Sequence, residues 1–106
     1  MDAKPLYTEA TAQTAAHNGA ERDGEPFDDV IVLVNVTAYT SGNLTPFIDA
    51  YDGTTWHRLY TGSNVSAAGA TAQHFGPLPA RWRAGVSGTF TATYTYKTNP
   101  VKYGRP

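Results

Sequence analysis

The plainest pattern in the chain is an alternation of period two. From Thr89 to Lys97, Phe90, Ala92, Tyr94 and Tyr96 alternate with Thr91, Thr93, Thr95 and Lys97. That spacing predicts a half-buried antiparallel strand with its aromatic side inward. Val30 to Tyr39 places Val30, Val32, Val34 and Val36 on one side and Ile31, Leu33, Asn35, Thr37 and Tyr39 on the other. Its first half is apolar on both sides, so it reads as a central strand covered on both faces. Arg81 to Val86 is a third strand, with Trp82, Ala84 and Val86 facing one way and Arg81 and Arg83 the other.

Between them, Leu44 to Tyr60 reads as a hairpin. Two runs rich in aromatic and aliphatic residues flank Asp52-Gly53-Thr54-Thr55. Glycine enters positive φ without a Cβ clash and aspartate can accept from the backbone ahead of it, so this segment suits a tight turn from which Trp56 returns toward the core. Pro46 lacks an N–H and belongs at the beginning or edge of its strand. Thr71 to Phe75 is a weak strand, and Gly76-Pro77-Leu78-Pro79 a rigid turn. Ser87-Gly88 turns the chain back into the last strand.

No segment of useful length has helical periodicity. The pattern predicts an all-β fold, a small antiparallel β-sandwich of immunoglobulin-like or jelly-roll-like form at residues 27–97. Residues 1–26, rich in Ala, Thr and charge and broken by Asn18-Gly19, Asp23-Gly24 and Pro26, read as a partly extended N-terminal arm, in which Ala10 to Ala16 could form a short helix or an edge strand but bury little. Residues 98–106 read as a short C-terminal tail in which proline and glycine end regular structure.

At 106 residues the chain is one domain. Cysteine is absent, which excludes disulfides and thiolate metal sites. The start carries no apolar leader segment and no run is long enough to span a bilayer, so the expectation is a soluble chain without membrane contact or an N-terminal export signal. Charge is divided unevenly. Residues 1–29 hold seven acids against two bases, net −5, whereas residues 30–106 hold two acids against six bases, net +4. Either the acidic segment rests on a basic surface, its own or a neighbour's, or its charge is simply solvated. Without clustered Lys and Arg interleaved with aromatics, nucleic acid is not an expected partner.

Catalytic constellations are missing. His17, His57 and His74 are scattered without metal-ligand spacing, and Asp49 with Asp52 lacks the further oxygen ligands of a calcium loop. Those two carboxylates share one strand end instead of facing each other across a cleft, and there is neither a nucleophile elbow nor a phosphate-binding glycine loop. The expectation is a protein that is not an enzyme and takes no cofactor or metal. Asn35, Asn43 and Asn64 head glycosylation sequons, read as chance in a chain so rich in Ser and Thr. Trp56, Tyr60, Trp82 and Tyr39 would suit a sugar-stacking platform, or else core and subunit interface.

Several motifs recur in one order: Ala12-Gln13-Thr14-Ala15 through Asn18-Gly19, Val36-Thr37-Ala38, Leu44-Thr45-Pro46 through Ile48-Asp49, and Asp52-Gly53-Thr54-Thr55-Trp56. Ala68-Gly69, Phe75-Gly76-Pro77-Leu78, Arg81-Trp82-Arg83 and Ser87-Gly88-Thr89-Phe90-Thr91 follow. In this series the chain resembles small β-sandwich virion proteins of tailed bacteriophages. The resemblance implies a structural protein, made in the cytoplasm of the host bacterium, that decorates the outer surface of the phage head as a cement protein. Its partner would be the major capsid protein, and a homo-oligomer, a trimer, is implied. On this view the arm residues Lys4, Tyr7, Glu9 and Arg22 touch the capsid, while Ile31, Leu33, Tyr39, Trp56 and Arg58 meet neighbouring copies. Removing residues 2–24 should then abolish capsid binding and leave the sandwich folded. A tail or head-completion component and a carbohydrate-binding module on the virion are the alternatives.

Overall fold

A computed structural model describes residues 2–3, 6–24 and 28–102. Among these residues there is no helix, and ten strands form two antiparallel sheets packed face to face as a β-sandwich. The first sheet holds β1 (Asp2–Ala3) and β2 (Tyr7–Gln13) end to end along β10 (Phe90–Lys102), then β5 (Asp28–Gly42) and β8 (Gly69–Phe75). The second holds β3 (His17–Asn18) and β4 (Arg22–Asp23) against β9 (Arg81–Ser87), then β6 (Thr45–Tyr51) and β7 (Trp56–Thr61).

The spine is the pair β5 and β10, in register from Phe90 opposite Gly42 to Lys102 opposite Asp28 with two register shifts between. β-branched and aromatic side chains suit this pleated surface, and they fill its inner face. Val30, Val32, Val34 and Val36 are 0–2% exposed, and Tyr94, Tyr96, Trp82, Ala84, Val86, Leu44 and Ile48 close on them from both sheets. The inward sets expected on the three strands are therefore the core.

Three expectations about the cover and extent of the strands are corrected. β5 is central, but covered on one face only: Ile31 and Leu33 are half-exposed on the outside of the first sheet. Leu33 is flanked there by Ala72 and Lys97 on the adjoining strands, which shield it in part. β10 runs past Lys97, where a tail was expected, because β5 offers it a partner as far as Asp28 and Thr98, Pro100 and Val101 all bury themselves. Residues 103–106 lie outside the described residues.

The third correction concerns residues 7–23, expected to run apart as an arm. They pair instead into both sheets: β2 lies along β10, and β3 and β4 lie along β9. Two further backbone bonds, Gly19 N–H to the Ala84 carbonyl and Gly24 N–H to the Ala80 carbonyl (both 2.7 Å), tie the segment down. It thus closes one side of the sandwich and covers two sheet edges that would otherwise present unpaired backbone. Cutting out residues 2–24 removes four strands, so the sandwich is not independent of them.

Among the described residues only β6 and β7 form a hairpin; β5 to β6, β7 to β8, β8 to β9 and β9 to β10 each pass from one sheet to the other. Ser87-Gly88 therefore carries the chain across the core instead of back along the same sheet. Two of these crossings touch, with Asn43 N–H donating to the Thr89 carbonyl (3.2 Å). Gly42 (φ 93°) and Gly88 (φ 117°) make that contact possible, since a Cβ on either would overlap the backbone of the other crossing.

Candidate functional site

The hairpin turn is set by Asp52. Its Oδ1 accepts from the Thr54 and Thr55 amides (2.8 and 2.7 Å), its Oδ2 bonds His57 Nε2 (2.8 Å), and Gly53 sits at φ 98°. The Thr55 amide first, then His57 and the Thr54 amide, hold the Asp52 carboxyl down at about 2. This is turn chemistry, and no group of three or more metal-ligating side chains occurs among the described residues.

The turn sets the register Tyr51 opposite Trp56, so that alternate residues of β6 and β7 rise on the outer face of the second sheet. Asp49 lies there between Arg58 on β7 and Arg83 on β9, its register partners on either side. Arg58 Nε donates to Asp49 Oδ1 (2.7 Å) and Arg83 Nε to Oδ2 (3.0 Å). The carboxylate is almost wholly covered, while the two arginine side chains keep 42% and 21% exposure.

Aromatic rings hold both guanidinium groups flat. Arg58 Cζ lies 3.6 Å from the centroid of the Phe47 ring and Arg83 Cζ 4.4 Å from that of Trp56, which in turn packs against Tyr51 at 4.8 Å. Phe47 is buried although it points outward, because Arg58 covers it and Gly85 on β9 leaves the room its ring occupies. The result is a rigid outer patch of two arginines and three aromatics carrying one more positive than negative charge.

A second polar cluster seals the closed side of the sandwich. The Glu9 carboxylate, 1% exposed, accepts from Arg22 Nε (2.9 Å), Arg22 Nη2 (3.0 Å) and the Thr98 hydroxyl (2.7 Å). The Arg22 guanidinium also covers the Tyr7 ring at 3.7 Å. Beside it, the Tyr96 hydroxyl and His17 Nδ1 share a hydrogen bond of 2.8 Å, and the Tyr94 hydroxyl donates to the Ala15 carbonyl (2.7 Å). Burial pushes the Tyr94 phenol up to about 12, and burial together with the Glu9 carboxylate pushes that of Tyr96 up as well.

The residues expected at interfaces are thus distributed over four places. Tyr7, Glu9 and Arg22 come together, but turned on each other inside the seam between the sheets; Lys4 lies outside the described residues. Ile31 and Leu33 share the outer face of the first sheet. Trp56 and Arg58 belong to the outer patch of the second sheet, and Tyr39 packs on the core with its hydroxyl donating to the Gly42 carbonyl (2.8 Å). The four aromatics of the sugar platform do not share a surface: Trp82 is fully buried, Tyr39 and Tyr60 lean on the core, and Arg83 covers a face of Trp56. Of the acidic N-terminal residues, Glu21 does meet a base of the body, Arg81, at 3.5 Å.

From the sequence alone, Arg83, Phe47 and Tyr51 carry no mark of a binding site, and Asp49 is weighed only beside Asp52 as a calcium or catalytic carboxylate. Their period-two spacing was visible, but only the order β7, β6, β9 brings them together. No family profile, curated protein or solved structure matches the chain.

Proposed function

We propose that the chain is a structural virion protein of a tailed bacteriophage, decorating the outer surface of the assembled head and stabilising it by bridging capsid subunits. What carries this reading is the ordered motif series from Ala12-Gln13-Thr14-Ala15 to Ser87-Gly88-Thr89-Phe90-Thr91, in which the chain resembles small phage head proteins. Two properties of the molecule agree with it. A sandwich with both sheet faces turned outward offers flat surfaces for docking, and many weak contacts repeated over a shell add up to firm attachment. A ligand that binds only the assembled shell stabilises it by mass action.

In this reading the contact surface for the major capsid protein is the Arg58–Asp49–Arg83 patch, because Tyr7, Glu9 and Arg22 are spent on each other. Ile31 and Leu33, on the opposite sheet, suit contacts between copies, a trimer being the proposed assembly. The test is co-sedimentation of purified chain with assembled heads of the encoding phage and, separately, with unassembled capsid protein. Saturable binding to heads at hundreds of copies supports decoration, a few copies per particle would transfer the reading to a tail or head-completion component, and no binding would end it.

A further inference from the structure

The outer patch has chemistry beyond holding β6, β7 and β9 together. Arg58 and Arg83 each place Nε on one oxygen of Asp49, and among the described residues neither has a hydrogen-bond acceptor for its Nη groups. Both guanidinium planes are fixed, by the carboxylate at one edge and by Phe47 and Trp56 beneath, so the rotamer entropy that normally opposes binding by a surface arginine is already lost in the free protein. A planar fork of donors matches an oxyanion. We propose that Arg58 and Arg83, aligned by Asp49, form a docking site for carboxylate side chains on an acidic peptide segment of a partner protein.

Charge decides the class of occupant. Two guanidinium groups against one carboxylate leave a single positive charge, which one incoming carboxylate balances and a doubly charged phosphate exceeds. Trp56, beside the arginines and half-exposed, gives a peptide backbone an amphipathic surface to lie on. Four acidic groups of the same chain are engaged elsewhere: Glu9 with Arg22, Glu21 with Arg81, Asp52 with His57 and Asp29 with His74. The occupant is assigned to a different protein, and the site stands whether or not that protein belongs to a phage head.

The experiment is a heteronuclear NMR titration of the isotope-labelled full chain with a capped hexaglutamate peptide, following the Nε–H signals of Arg58 and Arg83 and the Trp56 indole N–H. Hexaglutamine, inorganic phosphate and a sulfated heparin fragment are run alongside. Saturable shifts confined to this patch are expected with hexaglutamate alone, weakened about tenfold or more in Arg58→Lys, which keeps the charge and loses the fork. Arg83→Gln should act likewise; should it unfold, Arg58→Lys at the more exposed position still decides. An equal response to hexaglutamine, tighter binding of phosphate or heparin, or unchanged affinity in a folded Arg58→Lys protein would overturn the proposal.

Discussion

Replacing Glu9 separates an N-terminal segment that is part of the sandwich from one that projects freely. Its carboxylate is 1% exposed and takes two donors from Arg22 and one from Thr98, at 2.7–3.0 Å. A hydrogen bond to a charged group contributes about 1.5–3 kcal/mol, and stripping the partner from a fully buried ion costs about 3–5 kcal/mol. Arg22 retains 21% exposure, so water recovers part of its solvation and the lower part of that range applies. Glu9→Ala should then lose about 3 kcal/mol and Glu9→Gln, which keeps the shape and some of the bonds, about 2 kcal/mol. At a urea dependence of about 1.5 kcal/mol per molar, the Glu9→Ala midpoint falls by about 2 M. Tryptophan fluorescence reads the transition through Trp82 in the core, and Arg22→Met combined with Glu9→Gln should be less destabilising than the single changes add up to. A projecting arm would leave the stability within about 0.5 kcal/mol of the parent, and that result would refute the edge-strand account.

Two further changes probe the interior. Tyr94 and Tyr96 have phenols held above their ordinary value of 10, so the folded state stays neutral where the unfolded chain ionises. Their stabilising effect is whole below pH 10 and is lost as pH rises toward about 12, with a slope of up to about 1.4 kcal/mol per pH unit for each. Urea midpoints measured across that window should fall with pH, and less steeply in Tyr96→Phe; a flat profile would contradict the burial. Gly85→Ala places a Cβ against the Phe47 ring and the His17 carbonyl, which should cost about 1–3 kcal/mol by overpacking and displace Arg58 from Phe47. Thermal unfolding and the Arg58 Nε–H shift check both parts, and an unaltered protein would mean that Gly85 is not what admits the ring.

What could be read from the sequence was local. The period of two in Val30 to Tyr39, Arg81 to Val86 and Thr89 to Lys97 needs no knowledge of neighbours, and Trp82, Tyr94 and Tyr96 face inward as that period requires. Asp52-Gly53 likewise carries its turn within itself. Ala10 to Ala16 have an Ala/Thr/Gln composition that buries little, and what holds residues 7–13 is the edge of β10 and the Glu9–Arg22–Thr98 bonds, which span up to 89 positions. The outer patch joins Asp49 to Arg83 across 34 positions through the pairing of β6 with β9. Because most connections cross between sheets, neighbours in sequence are not neighbours in a sheet, and a turn such as Ser87-Gly88 looks the same in either case.

The decoration reading is tested most directly by cryo-electron microscopy of the encoding phage's heads assembled without this chain, imaged before and after adding it. The account predicts new density the size of the sandwich at repeated, symmetry-related positions on the outer surface, with the face bearing Arg58 and Arg83 turned to the shell. Density at a single vertex, at the tail alone, or nowhere on the particle would contradict it.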